Sequence, residues 1–365
     1  MKNKKLYWQI PFLLVLLIGS IVIVRCQHDM PYQHNTGFIF GTVYHITYQN
    51  DEDLQPEIDA ELKRVNQTFS TFEPSSVISL INQNKPVKVN EMFEEVFTLA
   101  QQVSKETNGA FDITVAPMVN MWGFGFKTGV HPSKEKIDSL RQIVGFNKVK
   151  LVGNTIRKQN PRIMLDCSAI AKGYGSDCVA RLLERRGVKN FMIEIGGEIV
   201  TKGNSEKRLP WHIGVTKPTD DSVNVNQEYE AVLNVTDRAM ATSGNYRNFY
   251  YKGGKKYAHT IDPKTGYPVQ HSLLSATVLA KNCATADAYA TSFMVMGIEK
   301  AKQLLDRHPE LMAYFIYSDS KGKMQVWYSK GLSPAPSPNG EGSRMYYLLG
   351  IGKGIEKNLR LSHYR

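Results

Sequence analysis

Lys2, Lys4 and Lys5 stand ahead of an apolar stretch from Trp8 to Val24 that is broken only by Gln9, Pro11, Gly19 and Ser20. A lysine-flanked apolar run at an extreme N-terminus is the pattern of an export signal, not of a core helix. It divides the chain before any other feature is considered. Residues 1–25 read as a signal or membrane-anchor segment, and the folded body must be built from residue 26 onward.

Cys26, directly after this run, has the position of the acceptor cysteine of a bacterial lipoprotein, although Arg25 stands where such sites usually carry a small residue. If Arg25 blocks cleavage, the uncut segment remains as a single-pass anchor, short for an average bilayer. Either route leaves the body outside the cytoplasm, membrane-anchored and facing the periplasm or exterior. The other cysteines, Cys167, Cys178 and Cys283, are odd in number and lack CxxC spacing, which argues against a zinc site or a disulfide framework. Cys167 and Cys178 could pair in an oxidising compartment, but buried free thiols are the better reading.

The formal charge of +11 could suggest nucleic acid, but its placement does not. Lys2, Lys4, Lys5 and Arg25 carry four of those charges and residues 332–365 a net three, which leaves residues 26–331 at +4. No Lys/Arg run interleaved with aromatics occurs in that body, so a nucleic-acid groove is unsupported. With 42% hydrophobic residues the body can bury a sizeable core. The stretch from Leu332 opens on alternating prolines and has no helical or strand period apart from a short apolar run at Met345–Leu349, so 332–365 reads as a disordered tail.

Periodicity within the body mixes both kinds of element. Phe38, Phe40, Val43, Tyr44, Ile46 and Tyr48 predict a strand over Gly37–Gln49, whereas Ile58, Leu62, Val65 and Phe69 make one helical stripe. A helix is expected from Glu91 to about Thr107, and another from a Ser133 cap to about Val144. Gly153-Asn154 predicts a hairpin of Val149–Val152 with Thr155–Lys158. Ile163–Leu165 reads as a strand end leading into a helix that reaches Gly187. Strands are expected at Phe191–Ile195, Trp211–Val215, Ala231–Val235, Asn248–Tyr251 and Leu274–Ala280, then a helix from Asn282, then a hairpin of Leu311–Tyr317 with Met324–Tyr328. Helices and hairpins mixed in this way favour an α+β fold over a regular parallel α/β sheet.

Three segments carry chemistry. Asp166 to Gly175 passes into a helix with small residues, and the open N–H groups of a helix start favour an anion; ordinary N-capping by Asp166 or Ser168 is the rival, and Lys172, Gly173 and Gly175 tilt the balance toward a ligand. Asp287 and Thr291 are four apart and share a helix face, supplying two of the hard oxygens that Mg²⁺ prefers; an exposed Asp beside a Thr bonded to its own helix is the plainer alternative. His259 precedes the turn Asp262-Pro263-Lys264-Thr265-Gly266 and is the one base in these segments suited to neutral pH, though a histidine beside a turn is often only a hydrogen-bonding group. Gly109–Thr114, Glu194–Glu198 and Ser243–Arg247 are further small-residue turns beside polar groups, and Gly196-Gly197 alone could be a strand bulge.

Taken in order, Phe40-Gly41-Thr42-Val43-Tyr44, Ser70-Thr71-Phe72, Gly109 to Thr114, Asp166 to Gly175, Glu194 to Gly197, Ser243-Gly244, His259 to Gly266 and Ala286 to Thr291 resemble the bacterial FAD:protein FMN transferases, the ApbE-like flavin transferase family, from about Thr36 to Tyr328. The resemblance implies that family's α+β fold, with a mixed, largely antiparallel sheet and packed helices. It implies an enzyme that uses Mg²⁺ to transfer FMN from FAD to a Thr or Ser hydroxyl of a target protein, releasing AMP. Metal ligands would fall on Asp287, Thr291 and the backbone carbonyl of Ala169. FAD contacts would fall on Phe40, Phe72, Ala110, Phe111, Asp112, Asp166, Lys172 and Ile261, with His259 or a nearby carboxylate taking the hydroxyl proton. Phe40 stands where many members have Met, Phe72 where Tyr is common and Lys172 where some have Glu. The implied partners are membrane redox subunits that carry covalent flavin. An FAD pyrophosphatase that releases FMN and AMP is the nearest rival, and a non-catalytic FAD-binding lipoprotein a more distant one.

Overall fold

The computed structural model describes residues 11–20, 30–124, 132–218, 228–245, 249–252 and 255–336. In chain order the first elements are α1 (residues 11–20), β1 (Tyr32–Ile39), β2 (Thr42–Gln49), α2 (Gln55–Phe69), α3 (Val77–Asn82), α4 (Glu91–Glu106), α5 (Ala116–Met121), α6 (Lys134–Arg141), β3 (Val149–Val152) and β4 (Thr155–Lys158). They are followed by α7 (Ser168–Arg185), β5 (Phe191–Ile195), β6 (Glu198–Lys202), β7 (Trp211–Thr216), β8 (Tyr229–Val235), β9 (Ala239–Gly244), β10 (Phe249–Lys252), β11 (Lys255–Ala258), β12 (Leu273–Ala280), α8 (Cys283–Met296), α9 (Ile298–Leu305), β13 (Met312–Ser318), β14 (Met324–Tyr328) and β15 (Ala335–Pro336).

Eight strands form the main sheet in the order β1-β2-β5-β6-β9-β12-β13-β14, and every neighbouring pair is antiparallel. Two hairpins at one end of it come from left-handed dipeptides. Phe40 (φ 53°) and Gly41 (φ 75°) turn β1 into β2, and Gly196 (φ 62°) and Gly197 (φ 102°) turn β5 into β6. Positive φ at both central residues is what a two-residue hairpin requires. The expected single strand over Gly37–Gln49 is therefore the second half of a hairpin, and Gly196-Gly197 is a turn, not a bulge.

The two faces of the sheet are covered differently, and the period of two along each strand sorts the side chains between them. Val200 and Ala239 face a layer with α2 and α7 residues such as Ile58, Leu62 and Val179, while their neighbours Ile199 and Met240 pack on Ile213, Val215 and Leu233 from β7 and β8. α8 is apolar almost all round, with Cys283, Ala284, Ala286, Ala288, Ala290, Phe293 and Met294 all buried, which is the signature of a core helix. It lies on β9 and β12 and against α7, and its alanines allow the close approach.

Ile163–Leu165 lies outside every sheet. Its backbone is clasped by the Asn82 side chain, which donates to the Leu165 carbonyl at 2.9 Å and accepts from its N–H at 2.7 Å. α6 keeps its Ser133 cap but stops at Arg141 instead of continuing to Val144. Cys167, Cys178 and Cys283 are free and buried. The body also runs past the boundary at 331, because Leu332 is buried among β7 and β8 residues and β15 pairs with β8. Arg25, Cys26 and most of the expected tail lie outside the described residues. Among the described residues no helix is long and apolar enough to cross a membrane, and α1 presents Phe12 to Ile18 exposed.

Candidate active site

The site is built where α7 meets the first turns of α8, and Gly173 makes the meeting possible. A Cβ at Gly173 would stand 2.5 Å from the carbonyl oxygen of Cys283, so only glycine lets the two helices touch there. Two acids then lock the contact from opposite sides. Asp177 of α7 accepts from the N–H groups of Cys283 (2.7 Å) and Ala284 (2.8 Å), capping α8 together with Asn282, which accepts from the Thr285 N–H. In return Asp287 of α8 accepts from the Gly173 N–H at 3.2 Å. In an α-helix the N–H of Gly173 is the natural donor to the carbonyl of Ala169. Asp287 is thus held beside the turn of α7 that carries that carbonyl.

Thr291 lies one turn further along α8, half-buried, with its Oγ1 3.0 Å from Ser243 Oγ at the end of β9. On the other side of Asp287, Lys172 forms an ion pair with Glu198, the first residue of β6. Glu198 is 3% exposed, and its Oε2 is buried without a hydrogen-bond partner. Burial pushes the carboxyl of Glu198 up from its ordinary value, with Lys172 pulling it back, and raises that of Asp287 likewise. For Lys172, burial works to lower the pKa, but Glu198 and Asp287 outweigh it and the ammonium is held above its ordinary value. Two buried carboxylates against one ammonium leave the cluster one positive charge short of balance when all three are ionised.

The remaining expected residues are held in different ways. Asp166 accepts from the Ser168 N–H at 2.8 Å, the plain capping role, and its own N–H donates to the Ile113 carbonyl at 2.7 Å, so the Gly109–Thr114 turn sits against the start of α7. Within that turn Asp112 is buried with both oxygens engaged, accepting from the Thr114 N–H and hydroxyl and from the Phe146 N–H. Phe111 is 2% exposed and belongs to the core. A ligand at this turn would therefore meet backbone, because the Asp112 carboxylate and the Phe111 ring are committed inward. Phe40 packs toward α7, where a Cβ on Gly175 would lie 2.6 Å from its ring, and Phe72 is 80% exposed.

A chain of contacts ties His259 to Thr291. The neighbouring Thr260 donates to Asn245 Oδ1 at 2.6 Å, and Asn245 directly follows β9, whose penultimate residue is the Ser243 that meets Thr291. His259 itself is half-buried, with its ring 6.4 Å from that of Phe124. Ile261 is 5% exposed and bridges to Pro268; the turn it opens is clamped by Trp122 Nε1 and Arg141 Nε, which donate to the carbonyls of Gly266 and Lys264. Sequence reasoning passed over Glu198 and Asp177. The only sign of the first was a carboxylate next to a double glycine, and Asp177 was hidden as an ordinary polar residue in a helix.

The donor set suits a hard cation. Among the described residues no group of three or more His, Cys, Asp or Glu could hold a metal, so the thiolate and imidazole clusters of zinc sites are absent among them. A carboxylate, a hydroxyl and a backbone carbonyl are hard oxygens, and Mg²⁺ takes its other ligands from water and phosphate. The negative surplus of Glu198, Asp287 and Lys172 fits such an ion.

The model of the ApbE family matches residues 40–315. The chain is 37% identical over 326 residues to the FAD:protein FMN transferase of Haemophilus influenzae, covering 85% of this chain and 93% of that one. It is 38% identical over 312 residues to the Vibrio cholerae protein of the same name, covering 82% and 92%. Among solved structures it resembles the flavin transferase ApbE from Vibrio cholerae with a TM-score of 0.74 and 36% identity, covering 82% of this chain and 98% of that one. The apo form of the Pseudomonas stutzeri flavinyl transferase ApbE gives a TM-score of 0.74 at 29% identity, covering 83% and 96%.

Proposed function

The chain belongs to the ApbE family, and from that premise we infer an enzyme that moves FMN from FAD to a Thr or Ser hydroxyl of a target protein with the help of Mg²⁺. Flavin transfer from FAD to a protein is the activity; the metal and the hydroxyl acceptor are the finer reading. The observation that carries it is Asp287, buried on α8 yet bonded to the α7 turn of Ala169, with Thr291 one turn away.

Asp287, Thr291 and the Ala169 carbonyl would hold the ion. Bound there, Mg²⁺ would supply charge neutralisation at the FAD pyrophosphate. Lys172, kept cationic by Glu198 and Asp287, offers a second positive charge to the same phosphates. The acceptor hydroxyl oxygen forms a bond to the FMN phosphorus as the phosphoanhydride bond breaks, and AMP departs with the bonding electron pair. The hydroxyl proton passes to His259 or to a nearby carboxylate. The turn at Gly109–Thr114 and the start of α7 offer small residues that let the dinucleotide approach the backbone.

The export pattern of residues 1–25 supports a membrane tether facing the periplasm or exterior, through lipid on Cys26 or through the uncut segment. It also supports acceptors among membrane redox subunits of the same compartment. The test incubates the full chain with FAD, Mg²⁺ and a candidate redox subunit. Flavin fluorescence that stays on the subunit after denaturation, with one AMP released per flavin, is the expected result. Free FMN without labelling would make the enzyme a pyrophosphatase, and tight FAD binding without AMP would make it a carrier.

A further inference from the structure

Glu198 is a costly residue to bury. Its carboxylate is 3% exposed, one oxygen meets Lys172, and the other is sealed in without a partner. A buried carboxylate with a sealed, unpaired oxygen lowers stability compared with a neutral side chain of the same shape, so folding gives no reason for it. Its reason lies in its neighbours. The ammonium of Lys172 sits in the fields of two carboxylates, Glu198 and Asp287, and it is Glu198 that holds it. The attachment is rigid, because Glu198 directly follows the Gly196-Gly197 turn and its carbonyl accepts from Ser176 Oγ of α7 at 3.2 Å.

We propose that Glu198 is a positioning residue that holds the Lys172 ammonium away from Asp287, leaving the carboxylate of Asp287 available to a divalent cation. The inference rests on the Mg²⁺ reading of the α7–α8 junction. An ammonium released beside a buried carboxylate neutralises it and competes with any cation for its oxygens. A partner that claims the ammonium first removes that competitor without touching the metal, and it leaves Lys172 charged and fixed beside the phosphates. This assigns a role to the residue after the double glycine that neither the helix-face pattern of Asp287 and Thr291 nor the α7 segment discloses.

The test is calorimetric titration of the full chain in detergent with Mg²⁺ alone, first without FAD and then with it. Glu198→Gln keeps the shape and removes the charge, and its Mg²⁺ dissociation constant should rise about 10- to 100-fold, the range for partners that orient metal ligands. Glu198→Asp, which keeps the charge, should stay near wild type. Glu198→Gln placed on top of Lys172→Met should have no effect, because the competitor is gone. Equal Mg²⁺ affinity in wild type and Glu198→Gln overturns the proposal, as does an equal loss with and without Lys172. If Glu198→Gln alone does not fold, the charge-balanced double substitution compared with Lys172→Met decides the question. A wild type that binds no Mg²⁺ would instead overturn the metal reading itself.

Discussion

Gly173→Ala should damage the site through geometry alone. In an ordinary helix interior this change stabilises by about 1 kcal/mol, since alanine is the better helix former. At Gly173 the new methyl would stand 2.5 Å from the Cys283 oxygen, 2.7 Å from its carbonyl carbon and 2.9 Å from the Ala284 nitrogen. All three are backbone atoms of a helix start that Asp177 pins with bonds of 2.7 and 2.8 Å, so no flexible side-chain end can yield. The helices must separate. Forcing extra volume into a well-packed contact costs about 1–3 kcal/mol. Lengthening the Gly173–Asp287 bond and the two Asp177 bonds, each involving a carboxylate, adds a loss of about 1–3 kcal/mol if one of them fails. The net expectation is a destabilisation of about 1–5 kcal/mol where helix propensity alone would give a gain. Urea unfolding followed by circular dichroism reads the stability, and Mg²⁺ titration reads the site. Gly175→Ala is the control, because the nearest atoms to its methyl are side-chain ones, the Phe40 ring, which can swing at a hairpin tip, and Ile195 Cδ1 at an ordinary 3.8 Å; it should cost less stability and act on flavin affinity instead. A Gly173→Ala protein with an unfolding midpoint at or above wild type would refute the claim that this contact holds Asp287 in place.

Asp287→Ala should abolish AMP release with and without an acceptor protein, and undiminished AMP release would remove Asp287 from the metal site. His259→Ala should slow transfer far more than it weakens FAD binding; parallel losses in kcat and in FAD affinity would deny it the base role. Asp112→Ala should cost about 1–3 kcal/mol by stranding the Thr114 and Phe146 N–H groups, read as a lower urea midpoint, and an unchanged midpoint would mean the turn is held by other means. Burial pushes Asp177 up to about 6 and raises Glu198 and Asp287 as well, so these three groups hold more protons in the folded chain than in the unfolded chain above about pH 4. That contribution is fully present below the unfolded value and is lost as pH rises through the folded one. The metal-free protein should therefore lose this contribution from about pH 4 to beyond 6, and Asp177→Asn should fall less steeply than wild type over that window; identical pH profiles for the two would contradict the assignment.

What the sequence disclosed depended on how much of each element is written locally. α2 and α4 carry a full apolar stripe, and the β3–β4 hairpin carries its own turn, so all three were legible. β9 is Ala-Met-Ala-Thr-Ser-Gly, with Thr242 its one β-branched residue and no aromatic, and it was missed although it lies in the middle of the sheet. Its strand state is set by β6 and β12 on either side of it and by α8 packed on its face, which is tertiary information. β6 was hidden by the double glycine that looked like a possible bulge, and with it went Glu198. The shared helix face of Asp287 and Thr291 is visible in one dimension through their four-residue spacing, but the family resemblance is what puts a metal on it. Lys172 and Glu198, by contrast, are partners only once β6 has been laid beside α7.

The Gly173–Asp287 bond joins positions 114 residues apart, and the bonds from Cys283 and Ala284 to Asp177 span 106 and 107. Contacts of such long range are slow to form, because loop-closure entropy must be overcome before they return anything. The proposed cation site should thus form late in folding, because it needs α8 docked against α7. A partly folded chain can collapse its sheet and helices and still lack the Asp287 and Thr291 oxygens proposed to hold the cation, so on that reading flavin transfer begins only on molecules that have finished folding.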